Sequence, residues 1–191
     1  MEIRSFLAFE LPHEIKAIVA DALRDMEKFP LDVRWVRPGN IHLTLIFMGN
    51  VPAEHLAPLG ETTGKVCSRF GPFDISLRGV GIFGNRKNPR VIWTRLEGDT
   101  GRISLLRDAL QKSLMPFGIK EEIRPFKPHL TLGRFRKGAR HTTYLDELLS
   151  EFEDLTSPAC ALGELVLFKS DLKPAGPVYT RLDSWALAGR D

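Results

Sequence analysis

The chain has 191 residues, 43% hydrophobic and 27% charged, enough for one compact unit with a sizeable core. No apolar run approaches the roughly 20 residues a bilayer span needs, and a net charge of +3 permits an anionic partner without implying a polybasic arm or duplex wrapping. Two cysteines, Cys67 and Cys160, exclude a disulfide framework and C-x-x-C spacing, and with no signal-peptide pattern at the start they give the expectation of a mature, reduced, cytoplasmic protein.

Residues 3 to 9 alternate as a strand with at least one apolar face, and Pro12 ends it. From Pro12 to about Lys28, Ile15, Ile18, Val19, Ala22, Leu23 and Met26 fall at helical spacing, and Pro30 stops the helix. Short strands over Val33 to Val36 and Ile41 to Met48 bracket a Pro-Gly-Asn turn, with Gly49-Asn50 breaking the second. A helix is expected from Ala53 to about Arg69, and Trp35 is read as core beside the strand at Ile41.

Phe73 to Phe83 and Val91 to Leu96 form a hairpin around the basic loop GNRKNPR. A helical stripe of Ile103, Leu106, Leu110 and Leu114 follows within Arg102 to Met115, closed by Pro116 and Gly118. A strand over His129 to Phe135, a basic turn RKGARH, a helix over Thr143 to Phe152 and strands at Ala161 to Phe168 and Val178 to Leu187 complete the pattern. No linker divides the chain, so residues 1–191 are read as one α+β domain with antiparallel sheets.

The tetrapeptide His-Leu-Thr-Leu occurs twice, at 42–45 and 129–132. On a strand the period of two puts His42 with Thr44, and His129 with Thr131, on one face, and the leucines on the other. A lone H-x-T is weak evidence, because single histidines are more often structural or solvated. Two copies converging on one cavity would place an imidazole at each apical oxygen of a phosphate and a hydroxyl at its non-bridging oxygens. That suits a displacement whose nucleophile loses a proton as its leaving group gains one, and it requires no metal or other cofactor.

The competing metal reading lacks an H-E-x-x-H, H-x-H or D-x-D cluster, and threonine is a poor zinc ligand. His13, His55 and His141 are read as solvated. An RNA-end or nucleotide-phosphate binding module with negligible turnover, in which the histidines only recognise a terminal phosphate, is the alternative from another class.

The paired motifs resemble the H-x-T-x signatures of the 2H phosphoesterase superfamily. The segments RSFLAFELP, VRWVRPGNIHLTLIFMG, FKPHLTLGR and LFKSDLKPAGPVYTRLDSWAL are similar to its RNA 2′,3′-cyclic phosphodiesterase branch, the LigT-like or ThpR proteins, over essentially the whole chain. The resemblance implies a bilobal fold of two pseudo-twofold-related antiparallel sheets, flanked by helices around a central cleft. It also implies hydrolysis of RNA 2′,3′-cyclic phosphate ends to 2′-phosphates, with His42 as proton donor, His129 as proton acceptor, and Thr44 and Thr131 on the phosphate. It implies 2′-5′ RNA ligation as a secondary activity. A monomer is expected, acting on tRNA fragments or small cyclic nucleotides.

By the same similarity Arg134 and Phe47, each five residues after its histidine, touch phosphate and base. Strict alternation puts both on the wrong face, so a departure at Gly49 and Gly133 is expected. The loops at 86–90 and 136–140 are basic enough to track an RNA backbone, or to be solvated turns.

Overall fold

The computed structural model describes residues 1–138, 143–174 and 176–189. Helix α1 (His13–Met26) buries Ile15, Val19, Ala22, Leu23 and Met26, the stripe its 3.6-residue period requires. It follows strand β1 (Glu2–Glu10), which pairs antiparallel with β3 (His42–Pro52) on one side and β8 (Glu164–Lys173) on the other. With β9 (Gly176–Ala186) these make a four-stranded sheet of order β3-β1-β8-β9.

The second sheet has order β2-β6-β5-β4-β7, from β2 (Val33–Trp35), β4 (Phe73–Asn85), β5 (Asn88–Gly98), β6 (His129–Phe135) and β7 (Cys160–Leu162). The remaining helices are α2 (Leu56–Cys67), α3 (Thr100–Leu114) and α4 (Thr143–Glu151). The order β1-α1-β3-α2 repeats as β5-α3-β6-α4, and the third member of each series carries one His-Leu-Thr-Leu copy. The two sheets share a hydrophobic cluster in which Leu7, Phe9 and Leu43 of one meet Phe73, Ile92 and Leu130 of the other.

Four local expectations are corrected. Strand β3 runs through Gly49-Asn50 to Pro52, with Gly49 in the left-handed region at φ 71°. The loop GNRKNPR is a tight hairpin, since β4 extends to Asn85 and β5 begins at Asn88. The single strand expected at Ala161 to Phe168 is two strands in different sheets, separated at Gly163. Trp35 lies beside the second motif strand: it pairs with Gly133 across β2 and β6 and is only partly buried. A Cβ on Gly133 would stand 2.5 Å from Val33 Cγ1 and 2.9 Å from Trp35 Cε3, so glycine lets these strands close up.

Sheet β3-β1-β8-β9 is apolar on both faces. Leu7, Phe9, Leu165 and Leu167 enter the main core, while Phe6, Ala8, Val166 and Phe168 form a second small cluster with Tyr179 packed on it. The second face is the floor of a cleft.

Candidate active site

Strands β3 and β6 contact each other, and between the sheets lies a cleft of about 360 Å³. His42, Thr44, His129 and Thr131 all line it, so the two repeats converge on one space. Phe47 and Arg134 line it too. Unbroken alternation would have turned both away.

The reason is a matched pair of β-bulges. Opposite β3, Leu7 pairs with Ile46 and Ala8 with Thr44, so the ladder skips Leu45. Opposite β6, Ile92 pairs with Gly133 and Trp93 with Thr131, so it skips Leu132. In both copies the second leucine of the tetrapeptide is the extra residue. A bulge inserts one unpaired residue and inverts the parity of everything after it. Phe47 and Arg134, each three residues beyond its threonine, thereby return to the histidine face. The departure expected at Gly49 and Gly133 thus lies at Leu45 and Leu132, with Gly133 flanking the second.

Each histidine is held the same way. His42 Nδ1 lies 2.8 Å from the carbonyl oxygen of Asn40, and His129 Nδ1 lies 2.7 Å from that of Lys127. A carbonyl only accepts, so each Nδ1–H donates and Nε2 is left to face a substrate. The two carbonyls lie in proline-bearing segments: Asn40 ends a 3₁₀ turn beginning at Pro38, and Pro128 restricts the backbone between Lys127 and His129. The segment entering β6 is pinned from α3: Arg107 Nη2 donates to the Glu122 carbonyl at 3.0 Å, and Gln111 Oε1 accepts from the Glu122 N–H at 2.9 Å. The Arg107 guanidinium also lies over the Phe126 ring.

The surroundings of the two rings differ. His42 stacks on Phe6 at 4.8 Å between centroids and meets the edge of Tyr179 at 5.3 Å. Its burial lowers its pKa below the ordinary 6.5, opposed by the bond to Asn40. His129 meets Phe83 edge-on at 4.7 Å and Trp93 at 6.3 Å. Burial lowers its pKa as well, opposed by the bond to Lys127, with the Arg134 charge lowering it further. These aromatic supports were not foreseen; the signal was the doubly apolar run Phe6 to Phe9 in β1 and Leu165 to Phe168 in β8.

Also unforeseen are the cleft's other cations. Arg4, Arg34 and Arg37 line it with Arg134, and no aspartate or glutamate does among the described residues. Arg4 lies 4.5 Å over the Phe47 ring, itself 54% exposed. The described residues of the two basic loops do not line the cleft: Arg86 is ion-paired with Asp146 and Arg136 stands 3.4 Å from Asp32, while residues 139–142, His141 included, lie outside the described residues. His13 is exposed as expected, whereas His55 is half-buried beside Phe117.

No three His, Cys, Asp or Glu side chains are grouped as a metal site among the described residues, and none of their helices is long and apolar enough to cross a membrane. What the cleft presents is two anchored imidazoles, two hydroxyls, exposed guanidiniums and an aromatic floor. That set can grip an anion and move a proton on each side of it.

Known proteins share this architecture. A family model described as LigT like Phosphoesterase matches residues 9–93 and 97–179. A Methanothermobacter thermautotrophicus protein named RNA 2′,3′-cyclic phosphodiesterase is 33% identical over 98% of this chain and 100% of its own length. The crystal structure of a Thermus thermophilus protein, TT0787, superposes with a TM-score of 0.82 at 29% identity, covering 99% of this chain and 100% of that one. The crystal structure of E. coli LigT complexed with 3′-AMP does so with a TM-score of 0.74 at 26% identity, covering 98% and 99%. The match runs through both motif strands and nearly end to end, and the chain belongs to the LigT-like phosphoesterase family.

Proposed function

We propose that this protein hydrolyses 2′,3′-cyclic phosphate ends of RNA to 2′-phosphomonoesters by metal-independent acid-base catalysis between His42 and His129. The observation that carries the reading is the pair of imidazoles in one cleft, each anchored through Nδ1 and each with Nε2 left for the substrate. In this scheme Nε2 of His129 takes a proton from water as its oxygen bonds to phosphorus. The P–O3′ bond breaks, and Nε2–H of His42 delivers the proton to O3′. Thr44 and Thr131 donate to non-bridging oxygens. The balance of protons is restored by exchange with solvent.

The electrostatics support this division of roles. The Arg134 charge favours neutral His129, as a base requires. The bound phosphate anion would favour protonated His42, as an acid requires. Nearby, Phe47 and Arg4 offer planes on which a terminal base can stack. Relatives named RNA 2′,3′-cyclic phosphodiesterase and a LigT crystallised with 3′-AMP support the substrate class. Joining ends through a 2′-5′ linkage is the same chemistry with an RNA 5′-hydroxyl in place of water, and we include it as a secondary activity.

The test is phosphorus NMR of a short RNA bearing a 2′,3′-cyclic phosphate, with chelator present. Conversion of the cyclic signal to a 2′-phosphomonoester is expected. Binding without conversion would make the chain an RNA-end binding module, and conversion only after added zinc would make it a metal hydrolase.

A further inference from the structure

Arg34 and Arg134 are directly opposed in the ladder between β2 and β6. Both line the cleft, so two guanidiniums stand side by side on one face of the sheet. Like charges in this position repel and weaken a strand pair. Just beyond the ends of the same two strands the charge is balanced, since Arg136 stands 3.4 Å from Asp32. Among the described residues neither Arg34 nor Arg134 has a carboxylate partner, and the cleft lining contains none. Arg34 also reaches toward the β8–β9 hairpin: a methyl group on Gly176 would stand 3.4 Å from its Nη2.

One phosphate between His42 and His129 leaves the pair with more positive charge than a single anion offsets. Thr131 is three residues from Arg134 along β6, and Arg34 lies one strand further out. At about 3.3 Å per residue, less the shortening of a bulge, the backbone of the pair is centred roughly 7 to 10 Å from that of Thr131. That is comparable with the separation of neighbouring phosphates along an RNA strand.

We infer that Arg34 and Arg134 form a second phosphate position, occupied by the phosphate on the 5′ side of the terminal nucleotide, so that the preferred substrates are cyclic ends carrying that phosphate. This rests on the reaction proposed above. The 5′-phosphate supplies the missing counter-charge to both guanidiniums and relieves their repulsion. It also orients the nucleotide, since the cyclic phosphate is held at one point and the 5′-phosphate at another.

The experiment compares adenosine 2′,3′-cyclic phosphate with and without a 5′-phosphate. We expect the 5′-phosphate to raise kcat/KM about ten- to a hundredfold, the effect of one charge-assisted hydrogen bond. Arg34→Ala should bring that ratio close to one, Arg34→Lys should restore part of it, and added salt should reduce it in the unaltered protein. A ratio near one in the unaltered protein, or an Arg34→Ala loss equal for both substrates, overturns the inference. If neither substrate turns over, the proposed reaction fails instead, and the ratio of their dissociation constants then decides the second position by the same criteria.

Discussion

The two motif strands carry the same tetrapeptide, the same bulge and the same Nδ1 anchor, yet they sit in unlike places. β3 is the edge of its sheet, and its histidine rests on an aromatic floor. β6 is interior, flanked by β2 and β5, and its histidine shares a strand with Arg134. The repeat duplicates the geometry of a proton-transfer group. In the proposed mechanism only the surroundings, one more apolar and one nearer a cation, distinguish the tasks of the two copies.

The sharpest way to break that comparison is to remove one ring at a time. His42→Ala and His129→Ala should each lower kcat by about 10² to 10⁴, and the double variant should lose far less than the product. A phosphodiester whose leaving group departs readily as an anion, such as a nitrophenyl ester, separates the roles: it should recover much of the rate with His42→Ala and little with His129→Ala. Equal recovery in both would sink the assignment of acid and base.

Arg134→Gln tests the cationic side. We expect a fall in kcat/KM of about tenfold or more from a lost charged contact, together with an upward move of the acid limb of its pH profile as His129 regains basicity. In the unaltered protein that limb should lie below 6.5, because both imidazole pKa values are lowered. A limb unmoved by the substitution would mean that Arg134 does not act on His129.

A smaller effect is expected from the buried clamp behind β6. Arg107→Leu leaves the Glu122 carbonyl unpaired, and should cost about 1–3 kcal/mol in denaturant unfolding. It should weaken catalysis through the Lys127-Pro128-His129 segment with less effect on KM than on kcat. Loss of stability without any change in kcat would show that the clamp does not position the ring.

The smallest effect is on stability. A histidine with a lowered folded-state pKa makes the unfolded chain bind more protons below 6.5. Stability should therefore be retained above that pH and decline as pH falls through and below it, by at most about 1.4 kcal/mol per pH unit for each ring. His42→Gln and His129→Gln should each flatten the decline, measured by unfolding at pH 7 and 5.5.

Much of this was legible in local pattern. The α1 stripe from Ile15 to Met26 and the strand His129–Phe135 follow from periodicity alone, and the repeated tetrapeptide pointed to His42, His129, Thr44 and Thr131 lining one cleft. Long-range pairing was not legible. Nothing within Val33–Trp35 says that it joins the far sheet, and only the small size of Gly133 hints at the close neighbour it has there. Bulges escape a period-two reading because the inserted residue is an ordinary leucine. Arg4, Arg34 and Arg37 look like any surface arginines until the topology brings their segments to the cleft. Basic loops drew attention by composition, yet Arg86 and Arg136 are satisfied by nearby carboxylates.

The paired bulges divide each motif strand into two segments under different constraints. Upstream of the inserted leucine stand the histidine and threonine to which the proposed mechanism assigns the reacting group. Downstream, Phe47 and Arg134 reach the same space from positions whose register is reset. Evolution could therefore vary what the pocket recognises past that joint while leaving the proton-handling half untouched, and a one-residue deletion at Leu45 or Leu132 would turn recognition outward without removing a single reactive atom.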